Sequence, residues 1–123
     1  MGYRSEIVFA VAPQAVPAFM TLCAKFPSVQ KLCFNDRDKL HSEDGEYLFH
    51  WEHIKWYHSF EEIEALDSFM TALESGDISE YGEHGEEEWV ECFKFVRIGE
   101  DRDDTEERGY GFDDIQLNRS ISF

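Results

Sequence analysis

Carboxylates are the reactive side chains that this sequence supplies in excess, and most of them lie in one part of the chain. The 123 residues include 27 Asp and Glu against 11 Lys and Arg, a formal net charge of −16 at pH 7. The stretch 60–107 holds 18 acids and 3 bases, a charge of −15, which leaves −1 for the remaining residues. Clustered like charges repel one another and cost stability. This concentration therefore indicates either a binding function or a strongly solvated surface.

Two acidic runs flank the apolar segment 89–98, and binding to a basic partner is the chemistry they suit best. Duplex DNA carries one charge per about 1.7 Å of its axis, and a basic groove built for DNA would also accept a dense array of carboxylates. The sequence therefore predicts a non-enzymatic protein that binds a partner protein with a basic surface through an acidic, nucleic-acid-mimicking surface. The alternative is that the acids only keep the chain solvated. The predicted partner-binding residues are Glu83, Glu86, Glu87, Glu88, Glu91, Asp101, Asp103, Asp104, Glu106 and Glu107.

Metal-dependent catalysis is another chemistry open to carboxylates, here those of residues 100–107. The segment that begins at Asp101 is similar to the start of a calcium loop. An EF-hand requires a glycine at its sixth position and a bidentate glutamate at its twelfth, where this chain has Glu106 and Phe112. The EF-hand motif therefore fails, and we predict no dedicated metal and no cofactor. A metal-dependent enzyme remains an alternative function.

Histidines and cysteines form no catalytic motif. His50 and His53 are separated by an odd number of positions, which places them on opposite faces of a strand. Cys23 and Cys92 fall on apolar positions of predicted elements, and three cysteines without CxxC spacing favour neither a disulfide scaffold nor a zinc site. The chain contains no GxSxG elbow, Walker loop or GxGxxG motif.

A small-molecule or nucleotide-binding protein, or one that sequesters such a ligand, is a third possible function. Aromatic residues make up 15% of the chain and are frequent in the segments 46–57 and 89–95. They could stack a base beside Arg4, Lys55 or Arg97, as aromatic side chains do in RNA-binding sheets. We expect most of them to lie in the core instead, with one or two at a protein interface.

These side chains must be positioned by an α+β fold of one domain, residues 1–123. The hydrophobic pattern gives the order β-α-β-β-α-β-β, over residues 4–12, 14–26, 29–34, 46–56, 59–76, 89–98 and 115–123. The first six elements match a ferredoxin-like βαββαβ arrangement, with the first strand central and two helices on one sheet face. The alternating pattern of 115–123 predicts an added C-terminal antiparallel strand.

The helix at 59–76 has the clearest boundaries in the sequence. Ser59 and Glu62 have the spacing of a capping box, in which the hydroxyl and the carboxylate each accept from a backbone amide of the first turn. Gly76 supplies the residue that ends a helix in a left-handed conformation.

The composition also excludes several classes of partner. No run approaches the roughly 20 apolar residues of a membrane span, and no basic-then-apolar leader opens the sequence. An acidic chain has the same charge sign as nucleic acids and anionic lipids, so direct binding to either is not expected. We expect a cytoplasmic protein.

Three short motifs resemble those of a group of small acidic proteins encoded by phages and prophages. They are GYRS at 2–5, WEHIKWY at 51–57 and RIGED at 97–101, the last followed by further acids. The resemblance extends from residue 2 to about residue 114. It implies a protein of a mobile element that acts in the bacterial host cytoplasm, so that the predicted basic partner is a bacterial host or defence protein. The resemblance assigns no catalytic residue.

Overall fold

The computed structural model describes residues 2–35, 37, 39–42, 44–82, 84–101, 103–112, 115–118 and 120–122, with only the backbone at 39, 116–118 and 120–122. Glu83, one of the predicted partner-binding residues, lies outside the described residues. The helices are α1 (Val16–Lys25), α2 (Pro27–Phe34) and α3 (Glu61–Ser75), with 3-10 turns at Pro13–Ala15, Ser79–Tyr81 and Trp89–Cys92. The strands are β1 (Ser5–Val11), β2 (Lys39–His41), β3 (Tyr47–Ile54), β4 (Phe93–Gly99), β5 (Thr105–Arg108), β6 (Gln116–Asn118) and β7 (Ser120–Ser122).

The main sheet has five strands in the order β2-β3-β1-β4-β5, and every neighbouring pair is antiparallel. The central position of β1 is confirmed, because β3 and β4 pair with it on either side. Residues 7–11 are completely buried. This continuous apolar run is the sequence pattern of a strand covered on both faces.

The helices form a layer on one face of the sheet. Phe9 of β1 contacts Phe19 of α1 and Phe49 of β3, with ring centroids 5.9 and 6.2 Å apart. Phe69 of α3 lies 6.1 Å from Phe19, so aromatic rings join the two helices above the central strands. Burying a side chain of this size contributes about 1.5–3 kcal/mol. These rings form the main hydrophobic core, and the prediction that most aromatics are core residues is confirmed.

The opposite face of the sheet has its own small cluster. Val8, Ala10 and Val96 are fully buried there, and Ile115 and Phe112 pack against them. The segment that follows β5 therefore covers the face that the helices leave open.

Two predicted strands have different structures. Residues 29–34 were expected to be a strand and instead belong to helix α2, in which Val29, Leu32 and Cys33 are buried. Their i, i+3, i+4 spacing gives one apolar helix face, and Pro27 suits the first position of a helix. The strand that pairs with β3 at this edge of the sheet is the three-residue β2.

The C-terminal strand prediction is wrong in its position. Residues 105–108, expected to be part of a loop, form β5 and extend the main sheet beside β4. The alternating segment 115–123 contains two short strands, β6 and β7, which pair with each other in a separate sheet. Alternation alone identifies extended backbone but does not specify which strand it pairs with.

Of the two ends predicted for helix α3, only the C-terminal one is confirmed. The predicted capping box is wrong, because the N-cap is Phe60 and no side chain caps the helix there. The carboxylates of the first turn still favour this end of the helix dipole. Gly76 ends the helix as predicted, with φ +87° and its amide bonded to the carbonyl oxygen of Ala72.

The α+β class is therefore confirmed, as an open antiparallel sheet with three described helices. A third helix and a fifth sheet strand distinguish it from a simple ferredoxin-like fold. Among the described residues, no helix is both long and apolar enough to cross a membrane.

Candidate functional site

Asp104, in the second predicted acidic run, holds the turn between β4 and β5. Its Oδ1 lies 2.8 Å from Nη2 of Arg97, and its Oδ2 accepts a hydrogen bond of 2.8 Å from the Tyr3 hydroxyl. The hydrogen bond from Arg97 and the one from Tyr3 lower the pKa of Asp104 to about 2. The backbone carbonyl of the same residue accepts from the Gly99 amide. This carboxylate is therefore committed to the turn.

The two glutamates of β5 are also paired within the protein. Glu107 Oε1 lies 2.7 Å from Nζ of the buried Lys94, and Glu106 Oε1 lies 3.4 Å from Nε of Arg97. The hydrogen bond to Asp104 is the main cause of the raised pKa of Arg97. Three of the five carboxylates predicted in this run are thus neutralised by cations of the neighbouring strand β4.

Asp101 and Asp103 complete the second run and are exposed. Asp101 Oδ1 accepts a hydrogen bond of 3.0 Å from the Asp103 amide. This contact shapes the loop, as aspartate side chains commonly do in turns.

The first run contains the longest series of unpaired carboxylates. Glu86, Glu87, Glu88 and Glu91 are all exposed. Within the part of the chain that the structure describes, no Lys, Arg or His nitrogen lies within 4 Å of their carboxylate oxygens. These four residues are called the exposed acidic segment below.

The exposed acidic segment is attached to a rigid base. Trp89 lies between Glu88 and Glu91, and Cys92 follows Glu91; these two side chains are only 5% and 6% exposed and belong to the main core. The Glu91 amide donates to the Glu88 carbonyl at 2.9 Å, which closes the 3-10 turn. The backbone on either side of Trp89 is therefore fixed while the carboxylates point to solvent.

Glu91 and Asp101 lie at opposite ends of β4, whereas Glu106 and Glu107 lie on β5 beside the middle of β4. Glu91 comes just before this strand and Asp101 follows it, so seven strand residues separate them. At about 3.3 Å per residue, this distance is about 20 Å. Among the described members of the predicted set, the exposed and unpaired carboxylates therefore lie in two separate places, one at each end of β4.

The pairing of Lys94 and Arg97 with the second acidic run was not predicted from the sequence. Their importance comes from pairing with β5, which had been expected to be a loop. In the register of β4 and β5, Glu106 lies opposite Arg97 and Glu107 lies opposite Val96. Both glutamates are therefore beside the strand that carries Lys94 and Arg97. The signal available in the sequence was opposite charge on two nearby segments, which is typical of cross-strand pairs.

The other reactive side chains are dispersed. Among the residues described, no three His, Cys, Asp or Glu side chains are arranged to hold a metal ion. His50 is buried and lies 2.9 Å from Glu6, whereas His53 is exposed. All three cysteines are buried, as expected, and burial raises the pKa of Cys23 to about 11.

Comparison of this chain with protein-family models, with curated proteins and with solved structures gives no match. The resemblance of its three motifs to phage and prophage proteins therefore stays a prediction. The exposed acidic segment is the most distinctive feature that the fold gives to the predicted partner-binding residues.

Proposed function

We propose that this protein binds a bacterial protein that has a basic surface, and that the exposed acidic segment makes the contact. The observation that carries the proposal is the difference between the two acidic runs. Glu86, Glu87 and Glu88 are exposed without a basic neighbour among the described residues, whereas Asp104 and Glu106 are paired with Arg97. Only unpaired carboxylates offer a partner their full charge.

Charge density supports the nucleic-acid-mimic form of this proposal. Glu86, Glu87 and Glu88 are consecutive, so even a fully stretched chain would spread their charges by no more than about 3.3–3.6 Å per residue along the backbone. One strand of DNA carries one phosphate per about 3.4 Å of helix axis. A basic groove on a host or defence protein would thus meet a similar linear density of negative charge.

Anchoring by Trp89 and Cys92 also favours binding. A flexible acidic tail would lose conformational entropy on binding, at about 1–2 kcal/mol for each backbone residue that becomes ordered. The backbone around Trp89 is already fixed against the core. Part of this cost is therefore met during folding rather than during association.

The same proposal includes the biological setting. We infer a non-enzymatic protein of a phage or prophage that acts in the bacterial cytoplasm, built on an extended variant of the ferredoxin-like arrangement. No geometry in the described residues favours the metal-dependent alternative, since Asp104, Glu106 and Glu107 are engaged by Arg97 and Lys94.

Affinity capture with matched charge variants tests this proposal. The immobilised full chain is exposed to bacterial lysate at low salt, and bound protein is eluted with a salt gradient. One triple variant, Glu86→Gln, Glu87→Gln and Glu88→Gln, removes three charges from the exposed acidic segment. The control, Asp44→Asn, Glu61→Gln and Glu64→Gln, removes three exposed charges at residues outside the predicted partner-binding set. Both variants change the net charge from −16 to −13.

We expect the immobilised wild type and the control to retain one or a few basic proteins. The variant that lacks the charges of Glu86, Glu87 and Glu88 should not retain them. Duplex DNA added to the lysate should displace them, because it competes for the same basic groove. Equal retention by both variants would show that the exposed acidic segment is not the contact surface. Retention that duplex DNA leaves unchanged would contradict the mimicry.

A further inference from the structure

A second candidate site is a cavity of about 560 Å³, which lies at the end of the sheet away from the exposed acidic segment. It is bounded by α2, the last residues of β3 and the beginning of α3. Cavities that bind small molecules usually measure about 300–1,000 Å³. This cavity therefore has the size of a site for a compound such as a nucleotide, rather than for an ion alone.

The charge of the cavity is opposite to that of the chain. Arg4, Lys31 and Lys55 line it together with His53, and Glu62 is the acid among its lining residues. Three of the 11 Lys and Arg residues of a protein with charge −16 thus surround one cavity. Such a local excess of positive charge favours an anionic ligand.

Two of these cations keep donors available. Arg4 uses one guanidinium nitrogen to donate to the His53 carbonyl at 3.3 Å, which leaves others of its five N–H donors for a ligand. Lys55 is exposed, and the described residues provide no acceptor for its Nζ. A guanidinium and an ammonium group are the usual side-chain partners of a phosphate.

The rest of the lining is apolar and aromatic. Trp51 is 1% exposed, and its indole N–H donates to the Leu32 carbonyl at 3.3 Å, which fixes the ring. Phe60 is 37% exposed at the rim, and its ring lies 5.2 Å from that of Tyr57. Phe60 therefore offers a supported aromatic face to a flat group.

The exposed acidic segment is far from the cavity, but Glu100 is close, since its Oε1 accepts a hydrogen bond of 3.0 Å from the Arg4 backbone amide. Arg4 comes just before Ser5, which pairs with Gly99 at the carboxyl end of β4, whereas Glu91 precedes the amino end of that strand. The Debye length is about 8 Å at physiological salt. The exposed acidic segment, about 20 Å away along β4, is thus largely screened from a bound anion.

We infer that this cavity binds a small phosphorylated compound that carries a flat aromatic group, the chemistry of a nucleoside monophosphate. The phosphate contacts Arg4 and Lys55, and the flat group stacks on Phe60. This inference does not depend on the proposed protein partner, because it concerns a different surface and a different class of ligand.

Calorimetric titration of the full chain tests it. The probes are the four common nucleoside monophosphates, adenosine and inorganic phosphate. We expect at least one monophosphate to bind with a dissociation constant below about 1 mM. Adenosine and inorganic phosphate should each bind at least about tenfold more weakly, because each lacks half of the recognised chemistry.

Two lysine variants give a matched comparison. Lys55→Gln removes a cation that lines the cavity, and Lys25→Gln removes one that contacts the Tyr81 ring outside it. We expect Lys55→Gln to weaken monophosphate binding about tenfold and Lys25→Gln to leave it within about twofold. Phe60→Leu, which keeps an apolar side chain but loses the aromatic face, should weaken binding of the monophosphate and not that of inorganic phosphate.

Three results would overturn the inference. One is that no monophosphate binds. Another is an equal loss of affinity in the two lysine variants, which would indicate attraction by overall charge only. The third is binding without a shift of the Trp51 indole N–H signal in the nitrogen–proton spectrum, which would place the ligand elsewhere. None of these measurements involves a protein partner, so the proposed function is tested separately.

Discussion

Asp104 and Glu86 show how the surroundings of a carboxylate determine what it can do. Asp104 has an arginine and a tyrosine hydroxyl within 2.8 Å, and its pKa falls to about 2. Glu86 is exposed, with no basic side chain nearby among the residues described. The first stabilises a turn, and the second is available to a partner.

Asp104→Asn should lower stability at neutral pH and change the acid limb of the stability curve. The folded-state pKa of about 2 lies below the ordinary value of 3.8. The carboxylate therefore contributes stability above about pH 4, which is lost as the pH falls toward 2. Because the side chain is 41% exposed and solvent screens the pair, we expect a loss of about 1 kcal/mol at pH 7. Urea unfolding at several pH values measures it.

Asp103→Asn is the control for this experiment, because Asp103 is exposed and its carboxylate has no described cationic partner. Its unfolding free energy should stay close to that of the wild type at every pH. A difference between Asp104→Asn and the wild type that is as large at pH 2 as at pH 7 would exclude the ion pair as its cause.

Which carboxylates are paired could not be derived from the sequence. Asp104 and Arg97 are seven positions apart, but Tyr3 is 101 positions from Asp104. That contact exists only because β1 pairs with β4. The abundance of acids was visible in the sequence, whereas the separation into paired and unpaired ones depends on the fold.

At the scale of elements, the side chain of Arg108 links the edge strand β5 to helix α3 through ion pairs and a hydrogen bond. Its guanidinium lies 2.6 Å from Asp67 Oδ1 and 2.6 Å from Glu74 Oε1, and it donates to the Thr71 hydroxyl at 2.9 Å. β5 pairs with a strand on one side only. This cross-layer contact is therefore a major restraint on the outer edge of β5.

Arg108→Gln should loosen β5 and leave the central strands protected. The change leaves two carboxylates beside an unfilled position, and we expect a loss of about 2 kcal/mol. Hydrogen exchange of the amides of 105–108 should accelerate more than that of β1. Arg108→Lys, which keeps the charge and loses the planar fork, should give an intermediate effect. Protection of β5 that is unchanged in Arg108→Gln would contradict this role.

Alanine substitutions at two glycines distinguish the cost of backbone strain from the cost of a steric collision. Gly76 and Gly109 have φ +87° and +84°, conformations that disfavour a side chain. A methyl group at Gly76 would meet no neighbouring atom, whereas one at Gly109 would collide with the Phe93 carbonyl. We expect Gly76→Ala to cost about 1 kcal/mol. Gly109→Ala should cost at least about 2 kcal/mol, since the backbone of β4 must also shift.

Thermal unfolding of the two alanine variants side by side checks this difference. The free energy of unfolding should fall in the order wild type, Gly76→Ala, Gly109→Ala. Equal costs at the two positions would mean that the close approach of Gly109 to β4 has no energetic weight.

The elements that sequence predicted well are those with strong local patterns. The unbroken apolar run of β1 and the periodic stripe of α3 with its Gly76 stop both gave the correct structure. Val29–Phe34 failed because a short segment with a β-branched residue fits either period, and burial against α1 and α3 decided for a helix. The four residues of β5 are mostly charged, so their strand conformation depends on ion pairs with β4 rather than on hydrophobicity.

At the scale of the molecule, the fold places the exposed acidic segment far from the cation-lined cavity, although Glu100 and Asp104 lie at the cavity's end of β4. The exposed acidic segment lies before β4, and the cation-lined cavity lies near Arg4 at the other end. The sequence left open whether the two acidic runs lie side by side, because they flank a predicted strand. The length of β4 separates Glu91 from Asp101 by about 20 Å.

The lining of the cavity was predicted only in part. Arg4 and Lys55 were considered beside a ligand, but so was Arg97, which is occupied by Asp104 and Glu106. Lys31 was not considered, because the segment 29–34 was expected to be a strand. Its position on helix α2 brings it to the cavity.

The salt dependence of partner binding tests the central claim most directly. With the captured protein purified, its dissociation constant is measured between about 50 and 200 mM salt for the wild type and both triple variants. If the exposed acidic segment forms the contact, affinity falls steeply with salt for the wild type and the control. For the variant that lacks Glu86, Glu87 and Glu88, affinity is already weak at low salt and changes little. The same salt dependence in all three proteins would contradict the account.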